Sequence, residues 1–324
     1  MRRLIAFLIL LATLGSGGTA AAVLRAQLVR PHRGTQVRLS PYTIGPESER
    51  EVCQLVTLPN KRAFDASQID VSMPGSPEFG THHFAIFLDV RDTPAPPQPE
   101  PVSDVGCTGM GGAVVPPLLA FVQRPRERIR FPLHVGVRLK PHQRLFLNSH
   151  YINGSAAPIT IDVAVNFRAA RKGSVQHHAR SFQLGTFDID VPPGAEGSAV
   201  GSWTTPFPIN VIALSSHSHK HTQSVTVDLL RAGVSAGQQL LTTDYADPSV
   251  HSYDPPLRLE AGDGWRWICD YLNMTPGTLR FGVTSNDEMC FTVGFFYPDD
   301  DAAPLPSVPG CFGGGGGLVC PFNH

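Results

Sequence analysis

The sequence predicts an all-β chain of antiparallel sandwiches or jelly rolls, and three observations carry that expectation. The 324 residues include 31 Gly and 30 Pro in short scattered clusters, and these residues break helices and build turns. Between the clusters, apolar and polar residues alternate in short runs, the period of a strand with one buried face. No stretch holds the 3.6-residue period of a long amphipathic helix.

At the start of the chain, Arg2 and Arg3, an apolar run over 4–14 and Ala20-Ala21-Ala22 form the pattern of a signal peptide, 1–22, cleaved near Ala22. The apolar run is too short to span a bilayer comfortably. The mature chain is then expected to be secreted or periplasmic, with no stable membrane association after cleavage. Six cysteines, an even number, suit that oxidising compartment. No CxxC occurs, so a zinc ribbon or thioredoxin-like motif has no support.

Strand-like runs follow at 81–90, 144–148, 159–167, 224–230, 279–283 and 291–297. Residues 168–180 have no apolar period and carry Arg168, Arg171, Lys172, His177, His178 and Arg180. They read as a linker dividing an N-terminal unit, 23–170, from a C-terminal one, 171–298. Residues 299–324 turn acidic, then Pro-rich, then Gly-rich, a tail tied by Cys311 and Cys320. No internal repeat is visible. Lys and Arg number 26 against 27 Asp and Glu, so no positive excess exists to meet a nucleic acid or an anionic membrane. With 16% charged and 42% hydrophobic residues, the chain is neither a disordered acidic segment nor a membrane bundle.

Chemistry enters with the histidines. His82 and His83 are neighbours near the start of a strand, where side chains point to opposite faces, so both reach one metal only at a strand end or a bulge. His150 follows the run Leu145-Phe146-Leu147 and precedes Tyr151. His217-Ser218-His219 places two imidazoles on one strand face, and His221 shares it, giving three candidates for two places. Asp287-Glu288-Met289-Cys290 opens the run 291–297. A lone Met is ordinarily core filler, whereas two imidazoles and a thioether make a donor set suited to Cu(I).

An adjacent His pair, a later His-Tyr, a His-x-His and a Glu-Met-Cys, in that order, resemble the copper type II, ascorbate-dependent monooxygenases, the family of the peptidylglycine and dopamine hydroxylases. The resemblance covers residues 51–298. His150 lies 67 residues after His83, His217 lies 67 after His150, and Met289 lies 70 after His219. It implies two antiparallel β-sandwich domains, jelly-roll-like, each carrying one copper and facing the other across a solvent-filled cleft. His82, His83 and His150 would hold the electron-storing copper, and His217, His219 and Met289 the oxygen-binding one. The register His217/His219 is preferred to His219/His221 because it sets Val225-Thr226-Val227 nearest its family position. The resemblance also pairs Cys269 with Cys290 and Cys53 with Cys107, in a family cross-link set that is here pared down.

The expected activity is hydroxylation of a substrate C–H bond with O2, two coppers per chain and ascorbate as reducing co-substrate. Three imidazoles accept both copper oxidation states, and a thioether in place of one favours Cu(I), the state that reduces O2. The family positions that grip a substrate carboxylate are here Ser215 and Val293, and neither is a cation. Lys220 has the opposite parity to His219. Phe291 and Val293 share parity with Met289 and are expected to line one cavity. A small or short neutral substrate follows, and no amidation of glycine-extended peptides. The alternative is a secreted copper-binding or electron-transfer protein without hydroxylase activity. A zinc hydrolase is disfavoured, because Met is a poor zinc ligand. Gly233-Val234-Ser235-Ala236-Gly237 matches the serine-hydrolase elbow but lies between two strand-like runs and reads as a hairpin loop. Asn153-Gly154-Ser155 and Asn273-Met274-Thr275 match glycosylation sequons, whose use depends on the host.

Overall fold

A computed structural model describes residues 21–89, 100–102, 118–298, 312–314 and 317–319. The signal-peptide expectation, Cys107, Cys311 and Cys320 lie outside the described residues, as does most of the tail. The described residues form strands and turns with no helix. The first set is β1 (Ala22–Leu24), β2 (Gly34–Ile44), β3 (Ser48–Thr57), β4 (Phe64–Ser72), β5 (Phe79–Leu88), β6 (Leu118–Val122), β7 (Arg126–Arg130), β8 (Val135–Leu139), β9 (Arg144–Asn153), β10 (Ile159–Ala169) and β11 (His177–His178). The second set is β12 (Arg180–Gly185), β13 (Asp190–Val191), β14 (Glu196–Thr204), β15 (Ile209–Ser218), β16 (Thr222–Arg231), β17 (Val234–Thr242), β18 (Val250–Leu259), β19 (Gly264–Leu272), β20 (Leu279–Arg280) and β21 (Cys290–Tyr297).

Each set folds into two sheets over its own apolar core. In the first, β2-β10-β4-β8 and β3-β9-β5-β6 enclose Leu39, Ile69, Ile86, Leu147 and Phe167, all fully buried. In the second, β12-β21-β15-β18 and β14-β19-β16-β17 enclose Leu184, Val225, Val227, Leu259 and Trp265. Counted in chain order over the eight principal strands of each unit, both run first-eighth-third-sixth in one sheet and second-seventh-fourth-fifth in the other. A repeat that the sequence hides is therefore plain in the topology, because strand order depends on apolar alternation and not on residue identity.

Three local readings meet the structure differently. The 233–237 motif is hairpin, as expected: Ala232 and Gly233 turn with φ of 48° and 81° and join β16 directly to β17. The run 279–283 shrinks to β20, paired only with β13. The charged stretch 168–180 is less of a linker than its composition suggests. Arg168 lies within β10 and pairs with Asp70, and His178 lies 3.1 Å from Asp65, so both sit against the first unit.

The sequon asparagines are fully buried and do structural duty. Asn153 accepts from Ser155 N at 3.0 Å and Ser155 Oγ at 2.7 Å, and donates to Ala157 O at 2.9 Å. Asn273 repeats this with Thr275 N, Thr275 Oγ1 and Gly277 O, at 2.9, 2.7 and 2.7 Å. Each lies at the end of the seventh principal strand of its unit, so one turn is built twice. Folded protein from a glycosylating host is expected to carry no glycan at Asn153 or Asn273, and an intact mass one glycan heavier at either residue would refute this.

Cys269 and Cys290 are bonded, S–S 2.07 Å, joining β19 to β21 across the second core. Cys53, on β3, is also disulfide-bonded. Closing the 21-residue separation between Cys269 and Cys290 stabilises by about 3 kcal/mol in the chain-entropy model. The Cys269→Ala/Cys290→Ala variant is expected to lose that much in denaturant unfolding; an unshifted midpoint would show the bond to be dispensable.

Candidate metal centre

The strands deliver five imidazoles to one place. On β5 the register slips between Thr81↔Tyr151 and His83↔His150, so His82 is the extra residue of a bulge. A bulge re-aims a side chain, which is how neighbours on a strand come to share a target. The next strand, β9, runs through residue 150 and sets His150 opposite His83. From the second unit, β15 ends on His217-Ser218, and His219 follows on the same face.

The ring of His82 lies 4.9 Å from His150, 5.0 Å from His217 and 4.8 Å from His219, between centroids. His83 lies 5.3 Å from His150 and 5.4 Å from His217. Ligand nitrogens of His82, His83 and His217 fall within 4.8 Å of one another. All five rings are buried, none more than 6% exposed. In place of the expected cleft between two separate sites, the imidazoles of both sets meet in a single cluster.

Four of the rings spend one nitrogen on the protein and keep the other without a partner. His83 Nε2 bonds Asn148 Oδ1 at 2.9 Å, and His150 Nε2 bonds Glu49 Oε2 at 2.8 Å, leaving both Nδ1 atoms orphaned. His217 Nδ1 bonds Gln123 Oε1 at 2.7 Å, and His219 Nδ1 bonds the Asp287 carbonyl at 3.0 Å, leaving both Nε2 atoms orphaned. His82 Nε2 is orphaned too. A ring whose N–H is donated in this way holds its lone pair on the other nitrogen, and metal ligands are oriented by such outer bonds. Burial pushes His82 and His217 well below the usual imidazole range, with the neighbouring rings adding to the effect, and takes His219 down to about 4. Neutral imidazole is the form that binds metal.

Met289 is buried at the mouth of β21. The pairs His217↔Phe291 and Ser218↔Cys290, carried one step on, set it opposite His219. Cys290 belongs to the second core, and strand alternation carried one residue before β21 would turn Met289 to the other face, that of His217. Tyr271 Oη donates to the Met289 carbonyl at 3.1 Å. His221 is partly exposed, and its Nε2 is also without a partner. Lys220 is exposed and bonds Asn286. Ser215 and Val293 are cross-strand partners and line one cavity, whereas Phe291 packs edge-on against Phe187, 5.7 Å between centroids.

Two residues to which the sequence assigns no role hold this geometry. Gln123, just after β6, bonds His217 and donates to Ser216 O at 2.8 Å, tying the first unit to β15. Glu288 is fully buried and accepts from His219 N at 3.2 Å, His221 N at 2.7 Å and Thr222 Oγ1 at 3.0 Å. Burial raises its carboxyl to about 7 against the pull of those donors. The only hint was the place of Glu288 beside Met289; Gln123 gave none.

Residues 202–307 match the C-terminal domain of the copper type II ascorbate-dependent monooxygenases, a span that contains His217, His219 and Met289. No curated protein matches the sequence. Among solved structures, the major capsid protein P2 of bacteriophage PM2 is 8% identical, covering 82% of this chain and 100% of its own, with a TM-score of 0.34. The PBSX exported protein XepA is 10% identical, covering 83% of this chain and 89% of its own, with a TM-score of 0.20. Likenesses this weak carry nothing further.

Proposed function

We propose that this chain, which belongs to the copper type II ascorbate-dependent monooxygenase family through its residues 202–307, is itself a copper monooxygenase that hydroxylates a substrate C–H bond with O2 and ascorbate. The observation that carries the reading is the set of five buried imidazoles, each keeping an orphaned nitrogen. Imidazole alone suits zinc as well as copper, so the preference for copper rests on the Met289 thioether joining the set. His82, His83 and His150 would hold one ion, and His217, His219 and Met289 another. Copper bound there supplies the one-electron chemistry that reduces O2.

The protein's own part is positional. Asn148, Glu49, Gln123 and the Asp287 carbonyl fix the tautomers of His83, His150, His217 and His219, so these four rings keep a lone pair free for a metal. The buried cluster excludes bulk water, which protects a reactive centre from side reactions. The shared strand order supports reading the chain as two jelly rolls, 23–170 and 171–298, joined face to face at the centre. Secretion fits the disulfides.

One observation favours the second reading, a copper-binding or electron-transfer protein: the rings of both sets touch, with little room between them. Copper stoichiometry and EPR with and without ascorbate, followed by ascorbate-driven O2 uptake, separate the two. Two coppers per chain with copper-dependent uptake are expected. Copper that cycles with ascorbate but consumes no O2 would leave the electron-transfer reading standing and remove the enzyme.

A further inference from the structure

We propose that a cavity of about 730 Å³, between β6–β7 of the first unit and the outer face of β15 and β21, binds a neutral, apolar small molecule, with Phe121 as the wall between that molecule and the imidazoles. Leu118, Phe121, Ile129 and Phe131 line it from one side, and Ile212 and Val293 from the other. The volume is that of a site for a drug-sized ligand. Phe121 belongs to both spaces: it lines the cavity, its ring stacks on His83 at 5.4 Å, and it meets His217 edge-on at 5.1 Å.

The polar lining is already spent on the protein itself. Arg124 pairs with Asp247 at 2.5 Å and Arg128 with Asp70 at 3.2 Å. Ser215 Oγ donates to Ser249 O at 2.8 Å, and Ser181 Oγ donates to Leu118 O. Of the remaining lining charges, Arg130 and Asp254 are exposed and opposite in sign, and Glu127 is half-buried, where desolvation raises its carboxyl and disfavours the charged form. An anionic ligand would give up its hydration for no fixed counter-charge, a cationic one would meet only a carboxyl that burial drives toward its neutral form, and an apolar one loses only unfavourable contact with water. That the occupant is the substrate rests on the monooxygenase reading; that the cavity is occupied does not.

The test therefore begins with metal-free, full-length protein and the neutral fluorophore N-phenyl-1-naphthylamine. Saturable binding at one site per chain is expected. Ser215→Trp, which fills the cavity, should weaken it tenfold or more, and Ser252→Trp at the mouth serves if the first variant does not fold. The sulfonated analogue 8-anilino-1-naphthalenesulfonate should bind at least tenfold more weakly. Absent binding, equal binding by the filled variant, or a sulfonate that binds as tightly would each overturn the proposal. In copper-loaded protein, Phe121→Ala should at least double the quenching of bound fluorophore by Cu(II), and unchanged quenching would remove Phe121 from its role. Fluorophore binding without copper-dependent O2 uptake would refute the monooxygenase reading alone.

Discussion

Met289→Ala is expected to keep copper at His82, His83 and His150 while ascorbate-driven O2 uptake falls at least about a hundredfold, since losing a ligand costs more than losing its outer support. The thioether is the soft donor that favours Cu(I), and the three-imidazole set has no share in it. The structure gives the variant little reason to unfold. The Cys269–Cys290 bond and the Tyr271 hydrogen bond to the Met289 carbonyl both act on backbone or on the neighbouring residue. Copper counted per chain and O2 uptake read on the same sample check the result. Full uptake by the variant would remove Met289 from the centre.

Glu288→Ala should produce the largest loss of stability of any single change near the site. Its carboxylate takes three donors from the turn after β15, and the variant leaves two backbone N–H groups and a hydroxyl without their acceptor. An orphaned buried donor costs about 1–3 kcal/mol, and neighbouring losses do not simply add, so about 3 kcal/mol is expected in denaturant unfolding. Because the same turn carries His219, copper affinity at the second set should fall as well. Glu288→Gln keeps one acceptor oxygen and should lie between. An alanine variant as stable as the parent would mean that solvent or another group satisfies the turn.

The strand pattern and the His-x-His parity were legible because both depend on a period of two, which the sequence displays directly. The adjacent pair His82-His83 was legible as a demand for a bulge, and β5 has one at His82. What the sequence hid acts over long separations. Gln123 and His217 are 94 residues apart, and Glu288 and His219 are 69. Neither residue type marks its own partner. Arg168 and His178 looked like linker because their aspartates, Asp70 and Asp65, lie about a hundred residues upstream. The closeness of the two donor sets was equally hidden, since it depends on how two units pack and not on either unit's pattern.

The shared strand order has a further consequence for symmetry. His82, His83 and His150 lie on β5 and β9, in the second-seventh-fourth-fifth sheet of the first unit, whereas His217 lies on β15, in the first-eighth-third-sixth sheet of the second. Two like units have thus met through unlike faces. A two-fold axis would bring identical faces together, so no symmetric dimer of one unit could assemble this centre. Unlike faces joined head to tail leave a free copy of each face at the ends, open to endless addition. Carrying both units in one chain settles which face meets which, so covalent tandem linkage here does the orienting work that rotational symmetry does in ordinary oligomers.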